Sequence, residues 1–324
     1  MSNYNVIRGL KIKYLSADPT NPEDGQVWYN SSSQNLRVEA VLGSSGSWSS
    51  GGALNVSRYA IGAIGTQTAS LAASGQISPG NMTASSEEYN GSSWTSGNNV
   101  GSARYTMGTA GTQTSGLITM GWVGSATTAT ELYNGSSWTG GTSANTGRSN
   151  VGSGGTQTSA LMFGGSPQAG GATGATEEWN GSSWTNVPSL GTARYQLSGN
   201  NIGTQTAGLC VGGYSGSARS EVEEYNGSSW TAGGALPTAE GIAARYGLQT
   251  AATIAGGGPG PAPNTTARQY NGSSWTTIPS IATGRNFVSG CGSNSAGVIF
   301  GGSPSGTATE EYTVPSGTAN ITSS

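Results

Sequence analysis

Histidine is absent from this 324-residue chain. That removes an imidazole base, a Ser-His-Asp triad and any His-ligated metal site. Cysteine occurs twice, at Cys210 and Cys291, too few for a zinc knot or a disulfide scaffold. Two reduced, buried thiols suit a cytosolic folding compartment. Charge is scarce as well: Asp, Glu, Lys and Arg make up 8 % of the chain, against a usual ~25 %. Lysine stops at Lys13, and both aspartates, Asp18 and Asp24, lie near the start. Beyond them only Arg and Glu, besides Tyr and Cys, can ionise. This excludes carboxylate loops of the calcium-binding type and a lysine nucleophile. No apolar run approaches the ~18 residues of a membrane span, so no membrane insertion is expected, and the polar N-terminus lacks the apolar stretch of a secretion signal. A net charge of −3 argues against nucleic acid as a partner. No cofactor and no metal are expected.

Glycine, by contrast, is abundant, at 56 residues, and it falls within a repeat. The motif Tyr-Asn-Gly-Ser-Ser-Trp or a close variant ends at Trp94, Trp138, Trp184, Trp230 and Trp275, at intervals of 44, 46, 46 and 45 residues. Trp48 lies 46 residues before Trp94. Each unit begins at an Arg (Arg58, Arg104, Arg148, Arg194, Arg245, Arg285), then passes through Gly-Thr-Gln-Thr or a degraded form of it. An apolar run ending in Gly follows, then a loop, then Glu-Glu-Tyr and the Asn-Gly hairpin signal. Runs of four to six apolar residues bounded by Gly read as strands. Asn-Gly between two strands predicts a type I′ turn. It also explains the five Asn-Gly-Ser sequences at Asn90, Asn134, Asn180, Asn226 and Asn271 without glycosylation.

The expected fold is all-β: six four-stranded antiparallel blades of a propeller, with the Arg-Tyr segment innermost and the Trp segment outermost. The sixth unit lacks a Trp strand, and Trp48 has no unit before it. The segment around Trp48 is therefore predicted to complete the last blade and close the ring, which hides the free sheet edges. Three regions are expected: residues 1–40 as an attachment module containing a small β-hairpin, 41–315 as the propeller, and 316–324 as a C-terminal tail.

A Gly-Gly pair after an apolar strand, then a Tyr, then a Trp, at this period, resembles the kelch repeat over about residues 49–312 plus the Trp48 strand. The Tyr-to-Trp spacing is tighter than in that family, and the second unit keeps only Gly121 of its Gly pair. The segment Pro19-Thr-Asn-Pro-Glu-Asp-Gly-Gln-Val-Trp-Tyr-Asn30, followed by Leu36-Arg-Val38, is similar to one common near the start of tail-fibre and other virion proteins of bacteriophages.

Three sets of residues are candidates for function. The six Arg could ring one mouth of the channel and attract an acidic glycan, and in kelch-like propellers an Arg at this position often contacts ligand. Alternatively they pair with the Glu that recur at 87/88, 177/178, 223/224, 310/311 and 131. In the fifth unit Arg268-Gln-Tyr270 replaces the Glu pair, which singles out Arg245 as the unpaired Arg. The Trp at 48, 94, 138, 184, 230 and 275 are read as packing against neighbouring blades. The loops after the Gly-Gly strands carry Trp122, Tyr214 and the run Pro259-Gly-Pro-Ala-Pro263, and recognition usually resides in such loops.

The resemblances imply a phage virion protein, folded in the bacterial cytoplasm. It would be a tail-fibre or receptor-binding component that contacts a host-surface glycan through its propeller and other virion proteins through its first ~40 residues. A homo-oligomer is compatible with this. A capsid or tail decoration protein is the alternative. An enzyme acting on glycans is disfavoured, because two suitably spaced carboxylates are needed and only Glu221 and Glu240 lie outside the repeat register.

Overall fold

The computed structural model describes residues 12–19, 26–41, 46–168, 171–197, 200–258 and 262–320. Among them every regular element is a β-strand, and no helix is long and apolar enough to cross a membrane. The chain divides into two compact modules, residues 47–313 and a smaller one made of residues 1–46 with 314–324.

The larger module consists of four-stranded antiparallel repeats. In repeat 1 the strands are Gly62–Thr66, Ala69–Ala73, Ser86–Tyr89 and Trp94–Ser96. Repeats 2 and 3 begin at Gly108–Thr112 and Gly152–Thr156 and have the same strand order. The first strand thus starts after the Arg, not at it. In these repeats the residue after the Arg makes only an isolated bridge, such as Tyr59 to Gln76. Repeat 6 takes its fourth strand from the other end of the module: Ser47–Ser50 pairs with Thr309–Thr313, with Trp48 opposite Tyr312. Repeats 4 and 5 depart from the pattern. Their first strands, Asn200–Thr204 and Ala244–Leu248, pair in parallel and merge both repeats into one eight-stranded sheet.

The hairpin between the third and fourth strands differs from the expected two-residue type I′ turn. In repeat 1, Tyr89 pairs directly with Trp94, so the loop is the four residues Asn90 to Ser93. Only Gly91 takes a positive φ, 90°. The Asn90 side chain holds the loop instead: its Oδ1 accepts from the backbone N–H of Ser92 at 3.0 Å and of Ser93 at 2.9 Å. The motif is an Asx-type turn, which accounts for Asn followed by two Ser.

Each repeat is too thin to bury its own apolar faces, so the core lies between repeats. Six clusters occupy six junctions, and one joins the last repeat to the first: Cys291, Val298 and Phe300 pack with Ile61, Ala72, Tyr89 and Trp94. The first strand of repeat 6 also lies beside that of repeat 1. Full burial of each large apolar side chain contributes about 1.5–3 kcal/mol. Glycine makes the close approach possible. A Cβ on Gly297 would lie 2.2 Å from the ring of Tyr246, which fills that junction.

Polar contacts repeat at the same junctions. The Gly at the second position of each Gly-Gly pair, or of the Ser74-Gly75 and Met120-Gly121 that replace it, donates its N–H to a backbone carbonyl of the next repeat: Gly75 to Arg104 at 2.9 Å, Gly121 to Arg148 at 2.8 Å, and finally Gly302 to Arg58 at 3.1 Å. The Gln of Gly-Thr-Gln-Thr reaches back to the preceding repeat, as Gln113 does to the carbonyl of Tyr89 at 2.8 Å. Gln67 makes the same contact to Tyr312 at 2.9 Å.

The small module holds a four-stranded sheet in the order Lys13–Leu15, Val27–Asn30, Asn35–Val41, Ser316–Asn320. The middle pair is the expected hairpin. The segment expected to be a C-terminal tail instead supplies an edge strand, antiparallel to Asn35–Val41. Trp28 is fully buried, and Asp18 accepts from its Nε1 at 2.9 Å, from Asn30 Nδ2 at 2.7 Å and from Arg37. These hydrogen bonds, that from Asn30 foremost, lower the Asp18 pKa. Residues 20–25 of the Pro19–Asn30 motif lie outside the described residues.

Candidate ligand-binding site

The repeated arginines do not face solvent. Arg58 is 1 % exposed, and Arg104, Arg148, Arg194 and Arg285 are 0 % exposed. Each is paired within its own repeat: Arg58 with Glu87 at 2.8 Å, Arg148 with Glu177 at 3.0 Å, Arg194 with Glu223 and Arg285 with Glu310 at 2.7 Å, and Arg104 with Glu131. The second guanidinium arm binds carbonyls, as Arg285 Nη1 does those of Gly301 at 3.0 Å and Ala308 at 2.9 Å. The carboxylate in turn accepts from backbone N–H groups, as Glu177 does from Asn145 at 2.8 Å. Burial lowers the Arg58 pKa to about 10, so the group stays charged at neutral pH. A ring of ligand-facing arginines is therefore corrected to a set of internal ion-pair struts.

Repeat 5 inverts the strut. In repeats 1, 2, 3 and 6 the Arg precedes the turn Gly by 7 residues, but Arg245 precedes Gly247 by 2. Glu240 holds the register position, is buried, and pairs with Arg268 at 2.8 Å. Glu240 is thus in register, contrary to expectation. Arg245 lies inside the first strand, fully buried.

Two residues after each register charge, the chain takes a left-handed conformation: Ala60, Thr106, Asn150, Gln196, Ile242 and Phe287, with φ from 48° to 58°. Most of these residues donate their N–H to the carbonyl of the counterpart in the preceding repeat, Ala60 to Phe287 at 2.9 Å, Asn150 to Thr106 and Phe287 to Ile242 at 2.8 Å. Repeat 4 shifts by one, with Leu197 donating to Asn150 at 3.1 Å. Five residues of this belt, all but Ile242, line a cavity of about 390 Å³ to which five repeats contribute. Tyr59, Tyr105 and Tyr195 line it, with Gln76, Asn150, Gln196, Thr106, Phe287 and the Pro79-Gly80 turn. All three tyrosines are half-buried. Burial raises the Tyr59 and Tyr105 pKa values, so both remain neutral phenols that donate and accept. The lining carries aromatic faces and amides and no charged side chain, a combination suited to an uncharged polyhydroxylated ligand.

Trp122 and Tyr214 adjoin this site. Trp122 bridges to Tyr105, and Tyr214 bridges to Tyr195 with the rings edge-on, centroids 5.4 Å apart. Exposed Val123 follows Trp122, and exposed Ile77 follows Gln76 in the loop of repeat 1. Residues 259–261 of the Pro259–Pro263 run lie outside the described residues. The repeated Trp sit elsewhere, each donating its Nε1 to the preceding repeat: Trp48 to the Pro279 carbonyl at 2.8 Å, Trp94 to Thr309 at 3.0 Å, Trp138 to Ser86 at 3.5 Å, Trp184 to the Thr142 carbonyl at 3.1 Å, Trp230 to Thr176 at 3.2 Å and Trp275 to the Gly234 carbonyl at 2.8 Å. A second cavity, about 420 Å³, lies between the turns at Gly65 and Gly292, with neither aromatic nor charged lining.

Sequence reasoning missed Tyr59, Tyr105 and Tyr195. The signal was the residue after each Arg: the charge stands out in the sequence, whereas its neighbour faces the cavity. Among the described residues no three His, Cys, Asp or Glu side chains are grouped to hold a metal. No family model matches the chain, and no curated protein is significantly similar to it.

Proposed function

We propose that the six repeats are the blades of a closed, kelch-like β-propeller, and that the chain is a bacteriophage virion protein, a tail-fibre or receptor-binding component. In this reading its propeller holds a neutral host-surface glycan in the central cavity. The observation that carries the binding reading is the uncharged cavity lined by three tyrosines and three amides. Tyrosine rings stack on the C–H faces of a sugar, and Gln76, Asn150 and Gln196 exchange hydrogen bonds with its hydroxyls. The register charges are paired internally and the cavity lining carries no charge, so neutral rather than acidic sugars are favoured. Contacts of this kind are individually weak, and several copies on one particle multiply them.

Closure of the ring is supported by the pairing of Ser47–Ser50 with repeat 6 and by the cluster shared between repeats 6 and 1. The phage reading rests on the likeness of residues 19–38 to virion proteins. The small module would make the attachment to other virion proteins. The reading is one of binding rather than catalysis, because the register Glu that acid–base chemistry would need are engaged by buried arginines.

Two measurements test it. A glycan array probed with the full chain should show neutral bacterial polysaccharides, with signal lost in Tyr105→Ala. No glycan bound, or equal binding by the variant, would overturn the cavity as the site. Immunogold labelling should place the protein at tail tips or fibres. Even labelling over the capsid would replace the receptor-binding role with a decoration role.

A further inference from the structure

Arg245 is the one fully buried guanidinium, among the described residues, without a carboxylate of its own. Its Nη1 donates to the carbonyl of Ala243 at 3.2 Å, the residue just before its own strand. Its Nε and Nη2 have no partner. Those two N–H groups share one edge of the guanidinium plane and point in parallel, the edge that grips carboxylates and other anions with two hydrogen bonds. In Arg58, Arg148, Arg194 and Arg285 the Nε is also unmatched, but both terminal nitrogens are used. In Arg245 the whole edge is empty.

No carboxylate hydrogen-bonds to that edge. The ionisable groups that act on Arg245 are Cys210, Glu240 and Arg194. Burial pushes the Cys210 thiol up to about 11, so it is neutral at physiological pH. Glu240 is held by Arg268 at 2.8 Å and by Asn264 at 3.3 Å. Arg194 is paired with Glu223 at 2.7 Å. A buried cation without a hydrogen-bonded counter-charge is costly, and arginine at neutral pH does not escape by losing its proton. The equivalent positions, two residues before the turn Gly, hold Ala63, Thr109, Ser153, Asn201 and Gly290, all smaller than Arg. Only Arg245 brings a long cation to that level, and it does so at the seam where repeats 4 and 5 merge into one sheet, with Arg245 opposite Asn200.

We propose that one small monovalent anion, chloride as the abundant physiological one, occupies the Nε/Nη2 edge of Arg245 and neutralises it. This site is separate from the tyrosine-lined cavity, and the proposal is independent of the glycan reading. The ion would act on stability: binding the folded chain alone, it raises the melting temperature with its concentration.

The test is the melting temperature of the full chain in sodium gluconate, with chloride, bromide or nitrate substituted at constant ionic strength. A saturable rise of about 2–4 °C is expected with the small anions. The rise should vanish in Arg245→Met. No dependence on the anion in the parent chain, or the same dependence in the variant, would overturn the proposal. Should Arg245→Met not fold, crystals of the parent grown in bromide give the answer: an anomalous peak against Nε and Nη2 supports the site, and water alone there overturns it.

Discussion

Five of the six repeats carry Arg at the register position and Glu on the third strand; the other carries Glu240 and Arg268. The fold therefore requires a pair there and tolerates either polarity, because both groups are buried and each offsets part of the other's desolvation cost. Glu177→Ala is expected to cost about 3–5 kcal/mol in denaturant unfolding, since it strands a buried guanidinium. The double exchange Arg148→Glu with Glu177→Arg should recover a large part of that loss. A double exchange as damaging as the single change would show that polarity, not pairing, is what matters. A similar covariation joins neighbouring repeats. Tyr133 donates to Glu88 at 2.6 Å, and Tyr225 to Glu178 at 3.0 Å. Where the third-strand Tyr is replaced by Trp179, the facing Glu position is Leu132, which packs against the same cluster. The Arg–Glu register was legible because the motifs recur at fixed spacing. The displacement of Arg245 was hidden because Ala244-Arg-Tyr246 copies the motif's letters at the wrong distance from Gly247. Measuring from the turn glycine, rather than matching letters, finds Glu240.

At the level of strands and turns, the four-strand repeat was legible, and so was the strand Ser47–Ser50. That strand precedes repeat 1 in the chain and completes repeat 6 in space, as the unpaired Trp48 suggested. The joints between repeats were not legible, because each depends on a residue whose partner lies a whole repeat away. Gln113, for example, reads locally as a turn residue, but its side chain crosses to the Ser70 carbonyl at 3.0 Å and the Tyr89 carbonyl at 2.8 Å. The Asn-Gly turn departs from expectation for a related reason: the dipeptide alone does not reveal that the Asn side chain, rather than the backbone twist, closes the loop. The tyrosines at these joints make alkaline pH the sensitive side. Burial, with the hydrogen bond to Glu311, pushes the Tyr89 hydroxyl up to about 12, and burial, with Glu178, pushes Tyr225 up to about 12. A free phenol ionises near ~10. The folded pKa lies above the unfolded one, so this stabilisation is complete below about pH 10 and is lost as pH rises through about 12. The melting temperature is expected to fall across that window, in step with tyrosinate absorbance. Complete tyrosinate absorbance by about pH 10 with no loss of structure would contradict the joints described.

Across the whole larger module, stability lies between repeats rather than within them, since all six apolar clusters straddle a junction. Trp48 stands in the cluster joining repeats 5 and 6, paired with Tyr312 at a ring distance of 5.1 Å. If the ring is closed, Trp48→Ala should cost about as much as Trp138→Ala, on the order of 3–5 kcal/mol, in a single unfolding transition. A negligible cost at Trp48 would mean that the ends fray. Residues that follow five of the six register charges line one cavity, a site that no single repeat contains. For that reason the cavity was the least legible part of the sequence, even though Trp122 and Tyr214 at its margin were singled out. The most direct measurement is calorimetric titration of the full chain with a neutral polysaccharide found on the array, at low and high salt. The account expects an affinity unchanged by salt, lost in Tyr59→Ala and Tyr105→Ala, and retained in the double exchange of Arg148 and Glu177. Binding that weakens steeply with salt, or that survives loss of both tyrosines, would contradict it.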